Sequence, residues 1–260
     1  MTKYTAPQSG ALRAYTRILF IVIWTCALFA LLCCVFPLAL VSARPVRAVR
    51  RYLQRLWARG TARIMGMHVK RIGAPPKRPY YLVANHLTYL DVVALSSQTG
   101  CVFVAMAEIA GWPVLGFMAK AIGTIFIDRS KLRDIKRVNE ALGEMLDKGE
   151  GVLIFAESTT SWGNGVLPFK PALFETPAQR NIPVHYAALH YETCDGSPTA
   201  TQCICWVEDI PFFTHGMGVL RLPRYTATVI FGDEPVKGVN RRALADATEE
   251  AVKGLLPPIQ

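Results

Sequence analysis

The residues best able to do chemistry lie in Val83-Ala84-Asn85-His86-Leu87-Thr88-Tyr89-Leu90-Asp91. A neutral imidazole can take a proton from an alcohol. A carboxylate at its other nitrogen fixes the tautomer and stabilises the imidazolium that forms. Positions five apart on a regular helix differ by about 140° in azimuth. His86 and Asp91 can therefore meet only if the segment straddles a turn and a helix start. Taken alone, His-x4-Asp is ambiguous, because an Asp capping a helix beside a packed His is the commoner occurrence. Two more apolar runs end in polar clusters, Phe126-Ile127-Asp128-Arg129 and Phe155-Ala156-Glu157-Ser158-Thr159-Thr160-Ser161. Separately, the first reads as a surface ion pair and the second as a helix cap.

Positioning such residues needs strands that end together. From Met67 onward, short β-rich runs at 80–84, 101–104, 124–127, 152–155, 182–189, 204–207 and 226–231 alternate with helical patterns. The clearest helix is expected over 131–148, where Leu132, Ile135, Val138, Leu142, Met145 and Leu146 share one stripe. A last helix is expected over 241–255. This alternation predicts an α/β fold with a mixed, partly parallel central sheet flanked by helices. In such sheets, sites collect at the carboxyl ends of the strands.

The amino-terminal part has a different character. Residues 1–63 carry ten Lys and Arg and no acid, whereas the rest of the chain is balanced, so the whole net charge of +10 surrounds one apolar stretch. Nucleic acid explains this poorly, since the remainder is neutral and shows no nucleic-acid motif. An anionic membrane surface explains it better. Ile18 to Ser42 runs 25 residues without a charge, enough to cross a bilayer, although Pro37 leaves re-entry open. The expected organisation is a membrane anchor over 1–43, a basic amphipathic interfacial helix over 44–66, and a catalytic domain over 67–260. In the helix, Arg47, Arg51, Arg55, Arg59 and Arg63 form one face, available to lipid phosphates. Three basic residues before the anchor and seven after it place the main domain in the cytoplasm, on the inner membrane in a bacterium. The seven cysteines are odd in number and lack a CxxC pair. They read as reduced and packed, and Cys203-Ile-Cys205 alone does not make a metal site.

Taken in order, Asn85-His86-x4-Asp91, Phe126-Ile127-Asp128-Arg129, Phe155-Ala156-Glu157-Ser158-Thr159 and Ile182-Pro183-Val184 resemble the four motif blocks of the glycerolipid acyltransferases, typified by bacterial 1-acylglycerol-3-phosphate acyltransferases. The resemblance covers roughly residues 64–235. It implies transfer of a fatty acyl group from acyl-CoA or acyl-carrier protein to a lysolipid hydroxyl. His86 would be the base and Asp91 its orienting partner. No covalent acyl-enzyme, no metal and no cofactor is implied. The acceptor-side residues implied are Asn85, Arg129, Glu157, Ser158, Thr159 and Thr160.

The departures concern the acceptor. Met106 stands where phosphate-using members often carry Lys, and Ser158-Thr159-Thr160-Ser161 replaces the usual Gly-Thr-Arg-Ser. Two cationic contacts are thus missing, unless Lys170 or another group replaces them. Residues 159–170 look like the subgroup containing lyso-ornithine lipid acyltransferases. Lysophosphatidic acid is the expected acceptor on family frequency, with lyso-ornithine lipid the alternative. A lipid-binding protein on a decayed acyltransferase fold is a third reading, motivated by Met106, Ser158 and Thr160. A serine hydrolase fits less well, because Ser158 is not in a Gly-x-Ser-x-Gly elbow.

Overall fold

A computed structural model describes residues 4–35, 42–112, 115–128, 130–207 and 210–256. At its centre is β2 (Tyr80–Ala84), with β5 (Gly151–Phe155) on one side and β6 (Val184–Thr193) on the other, both parallel to it. Beyond β5 lie β3 (Val102–Met106) and β4 (Ile125–Ile127), again parallel. Beyond β6 lie β7 (Tyr225–Phe231), antiparallel to β6, and β1 (Met67–Ile72), parallel to β7. The order is β1-β7-β6-β2-β5-β3-β4. The carboxyl ends of β2, β3, β4 and β5 therefore share one edge.

β2 is buried on both faces, which is why it reads as Tyr-Tyr-Leu-Val-Ala without polar alternation. Successive side chains still point to opposite faces. Tyr80, Leu82 and Ala84 join a core with Leu95, Leu153, Leu189 and Val229. Tyr81 and Val83 join another with Val138, Leu142, Ile154 and Leu244. The first core is covered by α1 (Ala11–Val35), α2 (Ala43–Met65), α3 (Leu90–Thr99) and α8 (Phe212–Arg221). The second is covered by α5 (Leu132–Asp147) and α9 (Arg241–Leu255). In α5, Val138, Leu142 and Leu146 are buried, as the stripe required. The smaller helices are α4 (Leu115–Ala121), α6 (Glu175–Gln179) and α7 (Ala200–Cys203).

Two expectations need correction. Residues 204–207 are not a strand. Ile204 and Cys205 are buried at the end of α7 and the loop after it, so their β-rich composition reflects burial rather than pairing. β1, which the sequence reading lacked, pairs along its whole length with β7. Ala14, Ala58, Ala62 and Met65, on the amino-terminal side of the expected boundaries at residues 43 and 66, pack in the same core as the sheet.

The way α1 is held explains that last point. Arg17 donates to the carbonyls of Leu220, Leu222 and Pro223, Arg13 to that of Arg221, and the Thr5 N–H to that of Gln202. Further along, Trp24 donates to the Trp57 carbonyl, Trp57 to Thr25, and Phe29 packs on Phe117 of α4. α1 thus rests on the same domain from its amino-terminal turns as far as Phe29. Its outer face shows Leu12, Tyr15, Leu19, Phe20, Val22, Ile23 and Leu31 to the surroundings. The arginines of α2 do not form one free outward face either. Arg47 and Arg51 reach Glu150, and Arg59 donates to the Ser97 carbonyl.

Candidate active site

The site begins where β2 ends. The chain leaves the sheet at Asn85, turns through His86–Tyr89 and enters α3 at Leu90, so Asp91 sits in the first helical turn. A carboxylate there is favoured by the helix dipole and by nearby unpaired N–H groups. Asp91 Oδ2 accepts from the N–H of Leu87 at 2.7 Å and of Thr88 at 3.0 Å. The same oxygen lies 2.7 Å from His86 Nδ1. Its other oxygen accepts from the Tyr191 hydroxyl of β6 at 2.8 Å. The turn-then-helix geometry required by the five-residue spacing is the one observed. A carboxylate only accepts, so the proton lies on Nδ1 and Nε2 is the basic nitrogen.

Asp91 is fully buried, whereas the His86 side chain keeps 20% of its surface exposed. Its Nε2 has no hydrogen-bond partner among the described residues. The ring lies flat on Phe155, with centroids 4.0 Å apart and planes 11° from parallel. The ring is thus held from below by Phe155 and from one edge by Asp91, with a proton-accepting atom left open.

The backbone of this turn is tied down almost group by group. The His86 N–H donates to Glu157 Oε1 at 2.6 Å, and its carbonyl accepts the Ser161 N–H at 3.0 Å. The Leu87 carbonyl accepts the Trp206 N–H at 2.9 Å. Asn85 uses its amide as a strand would, accepting from the Leu189 N–H and donating to the Leu189 carbonyl. Glu157 is clamped twice, since Oε2 accepts from the Leu167 N–H at 2.9 Å. Burial pushes the Glu157 carboxyl up to about 7. The charges of Asp91 and Glu249 add to the rise, and the N–H groups of His86 and Leu167 oppose it.

Asn85 and Glu157 are therefore not free acceptor contacts. Both are buried, with their polar atoms engaged by backbone. They shape the site by holding its loops. Ser158 sits at φ +65°, in the left-handed region that glycine enters without penalty. Thr159 is exposed and Thr160 half-buried at the same end of β5. Arg129 lies outside the described residues. Asp128 caps its own turn, accepting from Ser130 and pairing with Lys131. Met106, 36% exposed, ends β3 on the site's edge of the sheet. Lys170 has an exposed side chain, and its N–H donates to the Ala156 carbonyl beside Glu157. The sequence reading missed Tyr191 and Phe155. Tyr191 carried no local signal, being 100 residues from its partner. Phe155 was legible as the last strand residue before Glu157, but its stacking was not. Among the described residues, no three His, Cys, Asp or Glu side chains gather as a metal site.

Residues 67–188 match the family model described as Acyltransferase. A 1-acyl-sn-glycerol-3-phosphate acyltransferase of Neisseria gonorrhoeae is 34% identical over 74% of this chain and 75% of its own length. A lyso-ornithine lipid O-acyltransferase of Brucella abortus (strain 2308) is 30% identical over 88% of this chain and 91% of its own. The crystal structure of the 1-acyl-sn-glycerophosphate acyltransferase PlsC from Thermotoga maritima has the same fold, with a TM-score of 0.62 over 94% of this chain and 99% of that one, at 16% identity.

Proposed function

The chain belongs to the acyltransferase family, and from that premise we propose that it acylates the free hydroxyl of a lysolipid by general-base catalysis at His86. The acceptor's O–H proton moves to Nε2, and the oxygen attacks the thioester carbonyl of acyl-CoA or acyl-carrier protein. The tetrahedral intermediate collapses with loss of the C–S bond, and the proton on Nε2 passes to the departing sulfur. Asp91 holds the imidazole in the reactive tautomer and stabilises the imidazolium between the two transfers. The observation that carries this reading is the 2.7 Å contact between Nδ1 and Asp91 on a ring whose Nε2 is open.

Lysophosphatidic acid is the first-choice acceptor, giving phosphatidic acid. Lyso-ornithine lipid is the second, favoured by Met106 and Thr160 in place of cations and by a relative of that name matched over 91% of its length. A phosphate acceptor would need Arg129, Lys170 or a neighbouring group to supply its charge-assisted hydrogen bonds. α1, with an apolar outer face, is long enough to cross the membrane, and its packing on the catalytic domain as far as Phe29 also suits insertion from one side.

The test offers purified protein a panel of lysolipids with each donor and identifies products by mass. His86→Ala should lower turnover by about 10²–10⁴, the usual share of general-base catalysis. Undiminished turnover in His86→Ala would remove the base. Exclusive use of lyso-ornithine lipid would replace the first acceptor with the second.

A further inference from the structure

At the edge of the sheet opposite His86, the chain gathers arginines around one carboxylate. Glu150 immediately precedes β5 and is fully buried. Three guanidinium groups of α2 converge on its Oε1: Arg51 at 2.7 Å, Arg47 at 3.4 Å and Arg50 at 3.6 Å. Among the described residues its Oε2 has no partner, and neither does Arg50 Nε, although both atoms are buried. Arg78, just before β2, donates through Nη2 to the carbonyls of Thr99 and Gly100, while its buried Nε also lacks a partner among the described residues. Arg50 Nη1 lies over Gly123, where a Cβ would stand 2.5 Å from it. Gly123 precedes β4 as Glu150 precedes β5 and Arg78 precedes β2. The cluster therefore lies about 17 Å, one strand length, from the catalytic edge.

Neutralising Glu150 requires one arginine. Among the described residues, Glu150 is the carboxylate paired with these side chains, so three of the four positive charges are left over. Burial holds the Arg50 guanidinium below its usual value. Glu150 counters that effect, and the neighbouring Arg51, Arg47 and Arg78 reinforce it. Buried N–H groups without acceptors are rare and call for a missing partner. Guanidinium forks match phosphate as well as carboxylate oxygens, and a surplus of positive charge suits the more highly charged phosphate.

We propose that Arg47, Arg50, Arg51 and Arg78 form a second, non-catalytic site that binds a phosphate group, from an anionic phospholipid headgroup or from free phosphate. The site lies in the amino-terminal half of α2, about two to three turns before Trp57, where that helix meets the apolar α1. Glu150 gathers the arginines and competes with the ligand for their donors. This proposal does not depend on the catalytic reading, since it concerns the other edge of the sheet.

The test uses the full chain and reads thermal unfolding. In detergent, inorganic phosphate should raise the midpoint above that in chloride at matched ionic strength. In nanodiscs, phosphatidylglycerol should raise it above phosphatidylcholine if the source is lipid, and leave it unchanged if the source is free phosphate. Arg50→Gln should weaken the apparent phosphate affinity about tenfold, the worth of one charge-assisted hydrogen bond. Glu150→Gln should strengthen it, whereas a purely structural cluster would only lose stability. Since Arg50→Gln alone also weakens the support of Glu150, Arg50→Gln/Glu150→Gln serves as the folded control, and should bind more weakly than Glu150→Gln. Equal midpoints in phosphate and chloride together with equal midpoints in the two lipids would overturn the proposal. So would a phosphate response that is unchanged in both Arg50 variants.

Discussion

Replacing Asp91 by asparagine separates what its charge does from what its shape does. Oδ2 accepts from His86 Nδ1 and from two backbone N–H groups, while Oδ1, among the described residues, accepts from Tyr191. An amide has one acceptor oxygen, and its NH2 cannot face two fixed N–H donors. The oxygen must therefore take the Oδ2 position, and the NH2 donates to the Tyr191 oxygen, which can accept. The three hydrogen bonds to the Oδ2 position survive, the Tyr191 bond is reversed, Nδ1 keeps its proton, and the basic nitrogen is still Nε2. What disappears is the negative charge beside the developing imidazolium. Two unit charges about 4 Å apart at an effective dielectric of about 20 interact by about 4 kcal/mol. Full charge separation is not reached in the transition state, so the expected loss in kcat is about 10²–10³. Folding stability should fall by about 1–3 kcal/mol, because the buried Tyr191 O–H loses its acceptor when it accepts from the amide instead. Turnover at saturating lysolipid, paired with urea denaturation, measures both quantities. A loss in Asp91→Asn as complete as that in His86→Ala would show that the tautomer is not held by the backbone donors. Activity within twofold of wild type would show that no imidazolium forms.

Glu157 should make stability fall as pH rises. Its carboxyl titrates near 7 in the folded chain against an ordinary 4.5, so between those values the folded state holds a proton that the unfolded state has released. Stability should decline across that window by roughly 3 kcal/mol and level off above it, and Glu157→Gln should flatten the slope in denaturation curves run from acid to neutral pH. Ser158→Gly relieves a left-handed conformation costing a serine about 1–2 kcal/mol, offset by about 0.5–1 kcal/mol of added unfolded-state entropy. A gain of up to about 1 kcal/mol is expected by the same assay, and a clear loss would show that the serine side chain makes a needed contact. Arg17→Ala removes the donor to three carbonyls at the end of α8. It should free the amino-terminal turns of α1, read as faster proteolysis near residue 13 with the catalytic domain intact.

Much of the fold was legible because its signals are local. The stripe on α5 and the unbroken apolar run of β2 each follow from the residues within one element. The His86–Asp91 pair was legible for the same reason, since both residues belong to one turn and the helix start after it. Burial without pairing misled the reading at 204–207, because hydrophobic composition reports that a residue is inside and not what its backbone bonds to. The remaining features are decisions of the tertiary structure. The Tyr191 hydroxyl on Asp91, the Glu157 carboxylate on the His86 N–H and the Arg47, Arg50 and Arg51 guanidiniums on Glu150 join residues 71 to 103 positions apart. Periodicity carries no information about such partners. Which polar groups meet is settled only when strand order brings them to one edge of the sheet, where each buried donor must find an acceptor. The sequence by itself thus determined most of the elements and the pairing of His86 with Asp91. Chain crossing decided which side chains hold that pair in place, and which arginines gather at the far edge.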